Sequence, residues 1–115
     1  MKVERVKYMI WAVDLKRAAR FYQNVFGAVV VRESDVVCEL NVSGTTIGIH
    51  GGGAGGRTWT GLSFQVPDVL EGAREVVAGG GSLSREPQSD GDEPPHLAMC
   101  VDPEGNEIML TRRRK

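Results

Sequence analysis

Met9-Ile10-Trp11-Ala12-Val13-Asp14 and Ser63-Phe64-Gln65-Val66-Pro67-Asp68 carry the same message 54 residues apart. Each leads into a helical pattern that a glycine stops. Asp14 and Asp68, Ala19 and Ala73, and Gly27 and Gly81 all share that offset. A repeat of this kind fixes the architecture before any single residue is interpreted. It predicts two copies of a strand–helix–strands unit, with function expected in the groove between them.

Working outward, residues 3–13 read as a strand that Asp14 ends by capping a helix. Leu15, Ala18, Ala19, Tyr22, Val25 and Phe26 fall on one helical stripe, and Gly27 supplies a left-handed stop. Strands are expected at 28–33, 36–43 and 45–50, turning at Ser34-Asp35 and Ser43-Gly44. The glycine run Gly51–Gly56 reads as a flexible joint. Its Gly51-x-Gly53-x-x-Gly56 spacing imitates a dinucleotide fingerprint, but a strand follows it where that chemistry needs a helix N-terminus. A strand at 59–66 then meets Asp68 and Glu71, an Asp-x-x-Glu capping pattern. The second helix is expected to turn Leu70, Ala73, Val76 and Val77 inward, ahead of strands at 82–86, 96–101 and 106–111. Residues 85–95 hold most of the prolines and several acids and read as a mobile loop. Asp102-Pro103-Glu104-Gly105 reads as a type I turn.

The order is therefore βαβββ twice, an α+β chain. It is expected to be a single domain over 1–115, with module one at 1–50, a glycine-rich linker at 51–58 and module two at 59–115. Alternate residues of each strand must face the helices, so the other set faces away. That second set contains Lys7, Met9 and Trp11 on the first strand, and Gly61, Ser63 and Gln65 on the fifth. It contains Glu107 and Met109 on the last. Its mixed polar and apolar character suits a ligand groove.

Charge and cysteine usage narrow the partners. Lys and Arg number 14 against 15 acids, a net charge of −1, so no nucleic-acid footprint is present. The basic run Arg112-Arg113-Arg114-Lys115 reads as a frayed, solvated tail. No stretch approaches the roughly 18 apolar residues of a membrane span, and no secretory signal opens the chain, so a cytoplasmic location is expected. Cys38 and Cys100 lie in apolar strand-like runs and read as buried free thiols.

Val-Asp-Leu-x-x-Ala-x-x-Phe-Tyr-x-x-Val-Phe-Gly at 13–27, Val66-Pro67-Asp68 and Asp102-Pro103-Glu104-Gly105-Asn106-Glu107-Ile108-Met109-Leu110 together resemble the vicinal oxygen chelate superfamily. That group contains glyoxalases, bleomycin-resistance proteins and extradiol dioxygenases. The resemblance implies paired βαβββ modules forming a curved mixed sheet, with helices on the convex side and a groove on the concave side. It also implies, in most members, a homodimer. Metal-dependent members place a His, Gln or Glu ligand on the first and last strand of each module. The matching positions here are Lys7, Gly48, Gly61 and Met109. An ammonium, two glycines and a thioether offer none of the oxygen or imidazole donors such a cation needs. A displaced site would have to use His50, Glu39 or Glu107.

Other residues keep two readings. His50 is either a groove-lining acid/base or anion-pairing residue or an exposed strand-end histidine; His96 reads as structural or solvent-facing. Trp11 suits stacking on a planar ligand, and Trp59 suits either a ligand rim or a dimer seam. Glu39 or Glu107 beside Lys7 would form either a proton-transfer device or a plain structural ion pair. The expected function is small-molecule binding of the glyoxalase/bleomycin-resistance type, without metal or other cofactor. The groove would be lined by Lys7, Met9, Trp11, Glu39, His50, Trp59, Ser63, Gln65, Glu107 and Met109. A glyoxalase-like lyase or isomerase, or a dioxygenase, with a displaced metal is the alternative.

Overall fold

A computed structural model describes residues 1–89 and 91–114. Asp90, in the expected loop, and Lys115, at the end of the basic run, lie outside the described residues. The chain divides at Gly55/Gly56 into two compact units. Unit one runs β1 (Tyr8–Ala12), α1 (Leu15–Phe26), β2 (Val29–Glu33), β3 (Val37–Val42) and β4 (Thr45–Gly51). Unit two runs β5 (Thr58–Gln65), α2 (Val69–Ala78), β6 (Ser82–Arg85), β7 (Leu97–Val101) and β8 (Asn106–Thr111). Each unit is a four-stranded mixed sheet with one helix, in the orders β1-β4-β3-β2 and β5-β8-β7-β6. The first and last strands of each unit pair in parallel, and the remaining pairs are antiparallel.

The helix ends follow the sequence. Asp14 accepts a hydrogen bond from the Arg17 N–H at 3.1 Å, and Asp68 accepts one from the Glu71 N–H at 3.1 Å. Each satisfies a backbone donor that the first turn leaves without a helical partner. The Glu71 carboxylate pairs with Arg74 at 3.2 Å. Gly27 stops α1 at φ 66°. In unit two the positive φ of 106° falls on Gly80, one residue before the repeat offset places it.

Burial under α1 selects Ala18, Ala19, Phe21 and Tyr22, against Ile10, Ala12, Cys38, Leu40, Ile47 and Ile49 of the sheet. Phe21, outside the expected stripe, stands edge-on to Tyr22 with ring centroids 5.0 Å apart. On α2 the expected face is corrected: Val69, Ala73 and Val76 are buried, while Leu70 and Val77 are exposed. Gly72 explains the rotation. A Cβ there would lie 3.0 Å from Leu110 Cδ1, so the smallest residue marks where α2 comes closest to β8. Val69, Gly72, Ala73 and Val76 are the i, i+3, i+4, i+7 set through that point.

Three further expectations change. β1 begins at Tyr8, not residue 3, because its ladder with β4 starts at the Tyr8–Ile47 pair. The glycine run is fastened at its start: Gly51 donates to Val36 O at 2.8 Å and Gly53 to Ala12 O at 2.9 Å. The basic terminus is anchored at Arg112, whose guanidinium donates to Pro95 O at 3.1 Å and Pro94 O at 2.6 Å and pairs with Glu93 at 3.2 Å. The segment before β7 is therefore tied down where the sequence suggested mobility. Among the described residues no helix is long and apolar enough to cross a membrane.

The β7–β8 turn is the most heavily bonded loop. The buried Asp102 carboxylate accepts from Glu104 N–H at 2.8 Å, Asn106 N–H at 2.9 Å and Asn106 Nδ2 at 2.9 Å. Gly105 donates to Asp102 O at 3.2 Å, which closes the expected turn. Asp102→Ala leaves those donors buried without their acceptor and should cost about 3 kcal/mol in chemical denaturation. Asp14→Ala, an exposed cap, should cost about 1 kcal/mol. Equal losses would contradict this ranking.

Candidate functional site

Burying Ile10 and Ala12 under α1 turns Met9 and Trp11 to the opposite face of the first sheet. The ladder carries this across neighbouring strands. Met9 pairs with Gly48, Gly48 with Glu39, and Glu39 with Arg32, giving one transverse row. Trp11, His50 and Val37 form the next. Trp11 is 54% exposed and Met9 42% exposed, so this face is open around its aromatic and thioether groups.

Gly48 is needed for Met9. A Cβ on Gly48 would stand 2.3 Å from the Met9 sulfur, so the thioether lies directly over the glycine backbone. Next in the row, Glu39 is 3% exposed. Arg5 donates to both its carboxylate oxygens, at 2.9 and 3.3 Å, and Lys7 Nζ stands 3.9 Å away. The expected proximity of Lys7 and Glu39 is present, but Arg5, absent from the expected site, makes the closer contact. Strand parity did not mark it, since β1 begins at Tyr8 and Arg5 precedes the ladder.

The His50 ring faces Trp11, with centroids 4.7 Å apart and planes tilted by 51°. Its Nδ1 contacts the Gly51 carbonyl. A carbonyl only accepts, so Nδ1 is the donor in this contact, and the neutral tautomer that makes it has its acceptor at Nε2.

Unit two arranges its five candidates likewise. Trp59 pairs with Glu107, Ser63 with Met109 and Gln65 with Thr111. Between the first two pairs β5 carries two extra residues. Gly61 takes φ 73° there, while Thr60 Oγ1 donates to Glu107 O at 2.6 Å and accepts from Leu62 N–H. Gly61 thus supplies neither a ladder pair nor a side chain. Glu107 pairs with Arg57 at 2.9 Å. The ten candidates form two groups of five, Lys7, Met9, Trp11, Glu39 and His50 in unit one, and Trp59, Ser63, Gln65, Glu107 and Met109 in unit two. The His96 carbonyl accepts from Arg112 N–H at 3.2 Å and its Nε2 lies against the Arg114 guanidinium.

The four positions matched to the superfamily's metal ligands do not fit a divalent cation. Gly48 is covered by Met9, Gly61 sits in the bulge, Lys7 is cationic and Met109 is a thioether. Glu39, the nearest carboxylate, is already paired with two cations. Among the described residues no group of three or more His, Cys, Asp or Glu is placed to hold a metal ion.

The family model of a glyoxalase-like domain matches residues 8–111. The chain belongs to that family. The glyoxalase-like chain also shares its fold with solved structures of the glyoxalase, bleomycin-resistance and fosfomycin-resistance superfamily. A fosfomycin resistance protein, FosX, from Listeria monocytogenes superposes with a TM-score of 0.78 at 20% identity, covering 99% of this chain and 96% of that one. A glyoxalase-related enzyme from Fulvimarina pelagi gives 0.76 at 20% identity, covering 96% and 89%. A bleomycin resistance determinant encoded on the transposon Tn5 gives 0.71 at 17% identity, covering 98% and 100%. At these identities the likeness establishes the fold alone. No curated protein matches the glyoxalase-like chain by sequence.

Neither thiol faces the candidate residues. Cys38 and Cys100 are free and buried on the helix side of their sheets. Burial pushes the Cys100 thiol up to about 11; burial, with a smaller contribution from the Glu33 carboxylate, raises that of Cys38. Both should therefore resist a thiol reagent at pH 8 until the chain unfolds. A group whose folded pKa is raised stabilises below its unfolded value and loses that contribution as pH rises toward the folded one. Stability should thus fall between pH 9 and 11. Cys100→Ala should flatten that slope in denaturation measured across the window, whereas an unchanged slope would assign it elsewhere.

Proposed function

We propose that this glyoxalase-like protein binds a small organic molecule on the faces of its sheets that point away from the helices, and holds it without a divalent metal. The observation that carries the reading is Met9 lying over Gly48, beside a Glu39 already committed to Arg5 and Lys7. Binding of the kind a drug-sequestering protein performs needs affinity and no reactive centre. Faces that together carry two tryptophans, two methionines, a histidine and dispersed polar groups have the right composition for it. The two units are taken to serve as one binding domain of a cytoplasmic protein. Exposed Val29, Val31, Leu70 and Val77 favour a homodimer.

A second reading, a glyoxalase-like lyase or isomerase or a dioxygenase with a displaced metal, draws on two observations. His50 offers Nε2 as a lone-pair donor, and the FosX protein has been crystallised with Mn(II) and a dihydroxypropylphosphonic acid. The readings part in a ligand screen run by isothermal calorimetry, with hits remeasured in EDTA and in added Mn(II). Hits should keep their affinity within about twofold in both, and Trp11→Ala should weaken them by about tenfold, roughly 1.4 kcal/mol. Binding that disappears in EDTA, or product formed only with Mn(II), would favour the enzyme.

A further inference from the structure

The charge on the open face of the first sheet is unbalanced. Register places Lys7's neighbour Met9, then Gly48, Glu39 and Arg32, along one row. Glu39 is the only carboxylate of β1 to β4 that this register puts on the face, because Glu33 pairs with Cys38 and so belongs to the helix side. Arg5 and Lys7 meet that one carboxylate, and Arg32 stands opposite it in the ladder. Arg5 uses its contact with both Glu39 oxygens and is matched by it. Lys7, at 3.9 Å, stands beyond hydrogen-bond length and is 40% exposed, so its ammonium is available to another anion. Arg32 is exposed.

One row along, Trp11 and His50 form the aromatic part of the same face. Two residues of strand separate the rows, about 6.8 Å. Lys7 lies two residues before Met9 in the chain but brings its ammonium to Glu39, which lies diagonally from His50. An acid group attached to a ring beside His50 therefore points toward that ammonium. We propose that unit one takes a planar aromatic anion, its ring laid on Trp11 beside His50 and its oxyanion group met by Lys7 and Arg32. This rests on the small-molecule-binding reading above and names the ligand class for it. A cationic ring is disfavoured because Lys7, Arg5 and Arg32 repel it, outweighing the attraction of a tryptophan face for a cation at an exposed site. A neutral ring gains the stacking and forfeits the charge.

The test uses the full chain in EDTA and three probes of nearly equal shape: 2-naphthoate, 2-naphthamide and 2-naphthylmethylammonium, titrated by calorimetry. The naphthoate should bind about tenfold more tightly than the amide, with the ammonium weakest, and the preference should shrink in high salt. Lys7→Gln with Arg32→Gln, both at exposed side chains, should bring the acid to the level of the amide and leave the amide unchanged. Trp11→Ala should weaken acid and amide alike. An amide that binds as well as the acid, or a preference that survives the double substitution, would overturn the assignment of an anion. Trp11-dependent binding of the amide or ammonium in those cases would leave small-molecule binding standing. Failure of all three probes would overturn the aromatic-anion class, while metal-independent binding is decided by the screen in EDTA and Mn(II).

Discussion

Strand alternation under a single buried helix is the constraint on which unit one depends. α1 can cover only one face of its sheet, and it covers the face carrying Ile10, Ala12, Cys38, Leu40, Ile47 and Ile49. Each fully buried aliphatic side chain there contributes about 1.5 to 3 kcal/mol, and a one-residue slip would exchange the two faces. The register that buries this core therefore also brings Met9, Gly48, Glu39 and Arg32 into one row and Trp11 and His50 into the next. Site geometry follows from core packing.

Within that frame, two local contacts decide what the face can do. The Met9 thioether over Gly48 puts a soft, polarizable group at a position that the superfamily resemblance matches to a metal ligand. Arg5 and Lys7 hold the Glu39 carboxylate in an ion pair, a state that suits burial because the charge is compensated. Unit two departs from unit one at the same level, through the Thr60–Gly61 bulge in β5. The repeat is kept in caps, helices and strand order. It is lost at Lys7 against Gly61 and Gly48 against Met109, the positions that the resemblance matches to metal ligands.

Much of this was legible in the sequence because it rests on local rules. Asp14, Asp68 and Gly27 announce their caps through side-chain chemistry and glycine's tolerance of positive φ, and period-two patterning sets the faces of β1, β5 and β8. What remained hidden depends on contacts distant in sequence. The α2 stripe was misread because Leu70/Val77 and Val69/Val76 have equal spacing, and only the approach of Gly72 to Leu110 chooses between them. Arg5 reaches Glu39 across 34 positions, which no local pattern records. Arg112 anchors Pro94 and Pro95 by backbone carbonyls, acceptors that every sequence possesses and none advertises.

We propose that this face works without a divalent cation, although its fold is shared with a fosfomycin resistance protein crystallised with Mn(II). Among the described residues no group of three or more His, Cys, Asp or Glu is placed to hold one. The most direct measurement is a Mn(II) titration of the purified, chelator-stripped protein, followed by the electron paramagnetic resonance signal of the free ion. The signal should rise in proportion to added Mn(II) from the first addition, as in buffer. A signal suppressed up to one equivalent per chain, and restored by EDTA, would contradict it.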